Sequence, residues 1–451
     1  MSLQFITGNS GNGKTEYLFN RIVKEAKENP RDNYLVIVPE QFTMQTQRQL
    51  VDLSENKVIM NIDVLSFKRL AYRVFDELGI TNLTVLEETG KNLVLRKLAA
   101  QEADKLGVIG RNLNRIGYIS EVKSLLSELV QYNISPEELG RYIASGRLSD
   151  TLSDKLKDVL VLYEAFEKFM QDKYITAEEI LNVLSNVAEE SAILRNSVIA
   201  FDEFTGFTPI QNQLIKKLFV ISKKIYVTLT IDCREDIFKS RGMQELFDMP
   251  KRTVKSLTEM AAFYGIEVEE PIILDKNYRL AENEELSFME QQLFRKRRCS
   301  FKKAPKHIHI DCLRDPKQEL TKIARRINEL VRNENLRYRD IAIVTGDVNI
   351  YAGYVREIFD KYNIPYFIDA TQEILFHPFI EFIRSIPDIA AQNFSADAVF
   401  RFLRCGFSEL LDSEIDVLEN YVLACGVRGK SAWDKKWSGC QSIRQAMTLN
   451  F

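Results

Sequence analysis

"GNSGNGKT", residues 8–15, decides how this chain is read. It meets the pattern G-x-x-x-x-G-K-[ST] at every fixed position: Gly8, Gly13, Lys14 and Thr15. Such a stretch ends a strand, turns through glycines and opens a helix. The free N–H groups and positive dipole end of that helix face the turn and favour a bound anion. Gly11 and Gly13 let the backbone approach phosphate where a Cβ would intrude. Lys14 then reaches the β- and γ-phosphates, and the Thr15 hydroxyl reaches Mg²⁺. The candidate cradle is therefore the run Gly8, Asn9, Ser10, Gly11, Asn12, Gly13, Lys14, Thr15. Both flanks fit. "LQFIT" (3–7) reads as a buried strand, and Leu18, Ile22 and Ala26, with Phe19 and Val23, recur at helical spacing. The motif names a ligand and leaves the task open.

Further along, "YLVIV" (34–38) is a second buried strand, and "VIMNIDVLSFKRLAYRVF" (58–75) is a strand, a turn at Ser66 and a helix. From about residue 86 to 190 strand-like runs vanish and helical spacing takes over, as in Leu156, Val159, Leu160, Tyr163, Phe166 and Met170. Strands resume with "SVIAFDEF" (197–204) and "KIYVTLTID" (224–232). The basic stretch "RKRRCSFKKAPK" (295–306) reads as a solvated linker, with DNA contact as its functional alternative. After it, "HIHIDCL", a helix opened by Asp315-Pro316, "DIAIVT" (340–345) and "IPYFID" (364–369) predict a second α/β unit. Beyond about residue 375 the chain is again mainly helical. The expected fold class is α/β, with P-loop NTPase (RecA-like) parallel-sheet lobes and helical insertions. Residues 1–90 and 190–295 make the first lobe, 90–190 a helical insertion, 305–375 the start of a second lobe, and 376–451 the start of another helical insertion.

Composition sets the bounds. The 451 residues carry 45% hydrophobic and 28% charged side chains, which suits packed domains and not a disordered chain. A net charge of −3 excludes a generally basic nucleic-acid surface, so any DNA contact must be local. Six scattered cysteines without a C-x-x-C pair predict neither a zinc site nor a disulfide scaffold. With the glycine loop lying where a signal peptide would be, and no apolar span, the expected compartment is the cytoplasm, without membrane contact.

A nucleotide hydrolase needs carboxylates facing the phosphate loop, and "VIAFDEF" supplies them at the end of an apolar strand. Asp202 is the candidate Mg²⁺ ligand, and Glu203 the candidate for orienting or deprotonating water. Taken in order, "GNSGNGKT", "VPEQFT", "VLSFKRLAYRVF", "VIAFDEFTGFTP" and "YRDIAIVTGDVNIYAGYVREIFDKYNIPYFID" resemble UvrD-like superfamily 1 helicases. "VPEQFT", "DEFTGFTPIQ" and "YNIPYFIDATQEILFHPFIEFIRS" are more closely similar to the AddB (RexB) family, the B subunits of bacterial ATP-dependent helicase/deoxyribonucleases. The resemblance covers essentially the whole chain and corresponds to the amino-terminal part of a longer family member.

The resemblance implies a role in processing broken double-stranded DNA for recombination, with ATP and Mg²⁺ as cofactors and an AddA-type helicase/nuclease and DNA as partners. The family's nuclease and iron–sulfur cluster are expected only beyond Phe451. It also implies DNA contacts at Gln41, in "PEQFT", and at Ser66 and Phe67. In "LDKNYRL" (274–280), Arg279 is implied to reach the γ-phosphate.

Three departures from the active motors stand out. Only seven residues precede Gly8, so no adenine-reading glutamine segment is expected upstream. The strand "YVTLTID" runs into "CRED" where such motors carry G-D-x-x-Q, and the late motifs with the arginine finger do not appear before Phe451. The resulting expectation is a protein that binds ATP and DNA without being an autonomous motor. The alternatives are a self-sufficient superfamily 1 helicase, a small-molecule kinase, and a scaffold with a vestigial nucleotide site. A kinase leaves the second α/β unit unexplained.

Overall fold

The computed structural model describes all residues except 82–83, 108–115, 147, 171–173, 296–298, 371–373, 436 and 438–451. It divides into two compact units, Met1–His309 and Ile310–Phe451.

The first unit is built on a parallel sheet whose strands alternate with helices, as the sequence predicts. The elements run β1 (Ser2–Gly8), α1 (Lys14–Glu28), β2 (Tyr34–Ile37), α2 (Thr43–Leu53), β3 (Ile62–Leu65) and α3 (Phe67–Leu78). A short strand β4 (Val85–Leu86) leads into helices α4 (Glu88–Gln101), α5 (Ile116–Gln131), α6 (Pro136–Ala144) and α7 (Asp150–Met170), and β5 (Ile175–Thr176) returns to pair with β4. Then follow α8 (Ile180–Val187), β6 (Val198–Phe201), α9 (Pro209–Ile221), β7 (Lys224–Thr230), α10 (Asp248–Phe263), β8 (Glu267–Val268), β9 (Ile272–Leu274) and α11 (Glu284–Gln292). The main sheet has the order β3-β2-β6-β7-β1-β8, with β9 also on β1, and all pairings are parallel.

Its central strands are apolar on both faces because helices cover both. Leu3, Phe5, Leu35, Ile37, Ile199, Phe201, Ile225 and Val227 face α3, α8, α9 and α10. Ile6, Tyr34, Val36, Val198, Ala200 and Tyr226 face α1 and α2. The two-residue period of a strand keeps these sets apart. The helices α4–α7 bury a separate core, which includes Leu95, Leu126, Leu162 and Phe166. By contrast α8 packs into the sheet's own core through Ile180 and Leu184, so the separate helical core ends before residue 180.

The second unit departs from the sequence reading. Helices α12 (Pro316–Asn333) and α13 (Val348–Lys361) form and pack through Leu320, Ala324, Ile327, Ile358 and Phe359. Asp315 caps α12 by accepting from the Gln318 N–H at 2.8 Å. The three runs expected as strands, 307–313, 340–345 and 364–369, form no ladder among the described residues. Ile310 is 95% exposed, Val344 93% and Phe367 88%, so the apolar pattern is there but nothing covers it. A strand needs neighbours for its N–H and C=O groups, and here only one face meets helices. Among the described residues four helices follow, α14 (Pro378–Ala391), α15 (Ala396–Leu403), α16 (Asp412–Cys425) and α17 (Lys430–Trp433). Among the described residues no helix is long and apolar enough to cross a membrane.

Candidate nucleotide site

The loop after β1 and the loop after β6 meet at the carboxyl ends of the parallel strands, where ligands of such sheets bind. They do not follow neighbouring strands, as the sequence suggests, because β7 lies between β6 and β1. The strand registers explain why the two loops still meet. Phe201 pairs with Val227, so the next residues, Asp202 and Thr228, stand side by side on the face covered by α1. The Thr228 hydroxyl donates to Asp202 Oδ1, and the Thr15 hydroxyl lies 3.3 Å from the same oxygen. Thr228 has no place in the sequence motifs, and strand register alone reveals it.

The cradle is open towards solvent. Gly13 (φ 76°) precedes α1 without any side-chain cap, so the first N–H groups of the helix point into the cavity. Gly11 (φ 87°) lies so close to the segment crossing above it that an added Cβ would sit 2.9 Å from both Arg279 Cβ and Asn277 Oδ1. The cavity measures about 680 Å³ and is lined by the phosphate loop, Asp202, Glu203, Thr228, Tyr278 and Arg279, among others.

Lys14 donates from Nζ to the Asn9 carbonyl at 2.9 Å, and burial lowers its pKa against the pull of Glu203 and Asp202. A desolvated ammonium gains from a phosphate that restores its charge partners. Asp202 is 1% exposed, and burial raises its pKa although Thr228 and Thr15 hydrogen-bond to it. Its second oxygen, Oδ2, is buried and has no partner. A lone buried carboxylate oxygen beside a threonine hydroxyl fits Mg²⁺, which usually takes one or two protein ligands and completes its shell with phosphate and water. Among the described residues no group of three His, Cys, Asp or Glu side chains could hold a metal alone. The described cysteines do not converge either, and nothing among the described residues fits an iron–sulfur cluster.

Glu203 adopts φ 64°, a left-handed conformation that costs a non-glycine residue of order 1 kcal/mol or more. Its Oε1 lies 3.3 Å from the Thr15 hydroxyl, on the same side of the cavity as Asp202. Arg279 arrives from far along the chain. Leu274 pairs with Gly8 at the end of β9, and the following residues fold over the loop, with the Tyr278 and Arg279 N–H groups donating to the Gly11 carbonyl at 2.9 and 3.3 Å. Arg279 is exposed at the cavity, and no carboxylate pairs with it among the described residues. The Tyr278 ring lies above Gly13.

Residues 5–290 match the protein-family profile described as "ADDB, N-terminal". The chain belongs to the AddB family. It is 39% identical over 442 residues to the B subunit of the ATP-dependent helicase/deoxyribonuclease of Lachnoclostridium phytofermentans. It is 34% identical over 448 residues to the protein of that name from Clostridium tetani, and 34% over 443 residues to that of Clostridioides difficile. Each comparison covers 97% of this chain and 38% of the relative, so the chain spans well under half the length of these AddB proteins.

The residues that the AddB resemblance assigns to DNA stand apart from the cavity. Gln41 is exposed on a single 3₁₀ turn, Glu40–Phe42. Ser66 is buried and caps α3 by accepting from the Arg69 N–H, while its hydroxyl donates to Glu40. Phe67 is 7% exposed and packs among Phe201, Phe204 and Phe207. In this structure neither Ser66 nor Phe67 offers a free face to a strand. In the basic stretch Cys299, Ser300 and Lys302–Lys306 are exposed, as a solvated linker's residues are, while Arg295 is half-buried and pairs with Asp232 at 2.9 Å.

Proposed function

We propose that the first unit binds Mg–ATP at this cavity and that the chain serves within an ATP-dependent helicase/deoxyribonuclease acting on broken double-stranded DNA, together with a partner of AddA type, in the cytoplasm. The names of the relatives support the complex and its partner, since each denotes the B subunit of a larger enzyme. The observation that carries nucleotide binding is the unpartnered Asp202 Oδ2 beside Thr15, under an uncapped helix terminus.

When bound, the metal would neutralise charge on the transferring phosphoryl group. The chain's own residues divide the remaining work. Backbone N–H groups of residues 11–15 and Lys14 hold the phosphates, Thr15 and Asp202 hold the metal, and Glu203 orients or deprotonates a water. Tyr278 offers a ring face to a base, and Arg279 supplies charge near the γ-phosphate. DNA contact falls to the exposed Gln41.

Turnover is expected to be slow. Arg279 is the one arginine lining the cavity among the described residues, and loss of an arginine finger costs on the order of 10³–10⁵ in rate. The experiment is steady-state ATP hydrolysis by the intact chain with and without single-stranded DNA. Slow, weakly stimulated hydrolysis supports the reading. Turnover on the order of 10 s⁻¹, ordinary for an enzyme, would show a complete motor instead.

A further inference from the structure

Asn9, the first variable residue of the phosphate loop, is 4% exposed and bonded at each polar atom of its side chain. Its Oδ1 accepts from the Cys233 N–H at 2.9 Å, and its Nδ2 donates to Glu290 Oε1 at 2.9 Å. Its carbonyl accepts from Lys14 Nζ at 2.9 Å and from the Asn12 N–H at 3.2 Å. One residue thus ties the phosphate-binding lysine to the loop after β7 and to α11. A carboxylate is an unexpected partner for a loop built to receive polyphosphate, because its charge repels the ligand.

The charge has a counterweight. Arg295 Nη2 lies 3.8 Å from the same Glu290 oxygen, and Arg295 Nε donates to Asp232 Oδ2 at 2.9 Å. Asp232 is 1% exposed; burial acts against its ionised form, but bonds from Arg234 and Arg295 outweigh that and hold its carboxyl below the usual range. Phe247 lies under the Arg295 guanidinium, 4.7 Å from ring centroid to Cζ. Arg295 is thereby fixed in place. Asp232 lies two residues beyond the end of β7, immediately before "CRED". An ion-pair knot, Asp232–Arg234–Arg295, occupies the place where a coupling glutamine is missing. The segment from β9 to Arg295 also holds the phosphate loop at other points: Asn12 Nδ2 donates to the Leu274 carbonyl at 2.6 Å, and Asn277 Nδ2 to the Ser10 carbonyl at 3.0 Å.

We infer that Glu290 and Arg295 form a charge-balanced clamp that positions the phosphate loop through Asn9 and sets its preference between nucleoside diphosphate and triphosphate. The inference rests on the Mg–nucleotide reading of the cavity. Glu290 acts in two separable ways: its hydrogen bond fixes Asn9 and thereby the acceptor of Lys14, and its charge penalises the more anionic ligand. Arg295 offsets the charge without touching Asn9. The two residues therefore have opposite effects on the ATP-to-ADP affinity ratio, which a purely structural role does not produce.

The test is calorimetric titration of the intact chain with Mg–ATP and Mg–ADP, alongside thermal melts. Wild type is compared with Lys14→Ala, Glu290→Ala, Glu290→Gln and Arg295→Met. Glu290→Ala is expected to weaken both nucleotides about ten-fold, the loss of one hydrogen bond to a charged group. Glu290→Gln keeps a bond to Asn9 and removes the charge, so it should restore binding and raise the ATP-to-ADP ratio by about two- to five-fold, with Arg295→Met lowering it by a similar factor. Nucleotide affinities within two-fold of wild type for Glu290→Ala (about 0.4 kcal/mol), or ratios that move together in Glu290→Gln and Arg295→Met, overturn the clamp. If melts show that Glu290→Ala does not fold, the opposed ratios of the other two variants decide alone. Failure of the underlying reading looks different: wild type itself does not bind, or Lys14→Ala binds equally well.

Discussion

Two apolar runs, each followed by a helix, meet different fates in the two units. "YLVI" (34–37) in the first unit becomes β2, every residue buried, paired on both sides to β3 and β6. "IAIV" (341–344) in the second unit has a similar apolar composition, yet Ile343 and Val344 are exposed and no ladder forms among the described residues. Local sequence specifies an extended chain. Neighbours turn it into a strand, by pairing its amides and covering its second face. The proposed nucleotide site follows the same logic. It exists in the first unit because a fixed register places Thr228 beside Asp202 and β9 beside Gly8.

The contrast can be broken most directly in the cores. Phe201 is 1% exposed between β2 and β7, and Phe201→Ala is expected to cost the first unit about 3–5 kcal/mol in urea denaturation. Phe367 is 88% exposed, and Phe367→Ala should stay within about 0.5 kcal/mol. Similar losses for both would mean that 364–369 is packed as a strand after all.

A smaller effect sharpens the comparison at the carboxylates. Burial raises the folded-state pKa of Asp202 above its unfolded value. An acid shifted upward penalises the fold once it ionises, so stability is full below the unfolded pKa, about 4, and falls as pH rises through the folded one. Asp202→Asn should therefore stabilise the nucleotide-free protein at pH 7 by about 0.5–2 kcal/mol while removing the Mg²⁺ dependence of nucleotide binding. The gain should shrink below about pH 4. In the second unit Asp340 shows the opposite sign: hydrogen bonds from Arg337 bring its pKa down to about 2. Its contribution is present above the unfolded pKa and is lost as pH falls towards about 2, but both groups lie in solvent, so Asp340→Asn should barely change the melt. Destabilisation by Asp202→Asn at pH 7 would contradict the assignment of Asp202 as a residue whose burial favours the metal over the fold.

Legibility in the sequence follows the range of the interactions. The turn at Ser66, the stripe of α7 and the loop Gly8–Thr15 are local patterns, and the structure contains each of them. The proximity of Asp202 to Thr15 is readable from a motif, but the intervening β7 and the role of Thr228 are not, because both depend on strand order. Phe67 resembles a contact residue at the start of a helix, yet its packing with Phe201, Phe204 and Phe207 joins distant parts of the chain and has no local signal. Arg295 reads as part of a basic linker for the same reason, since Asp232 lies 63 residues earlier. In the second unit β-like composition stands in for pairing partners that the fold does not supply.

The reading proposed for the cavity after β1 and β6 is a Mg–nucleotide site. Isothermal titration of the intact chain with ATP, with and without Mg²⁺, tests it most directly. The expected result is saturable binding that requires Mg²⁺ and disappears in Lys14→Ala, with the melt of that variant unchanged in the absence of ligand. Absence of binding by the wild-type chain, or binding that persists in Lys14→Ala, would contradict it.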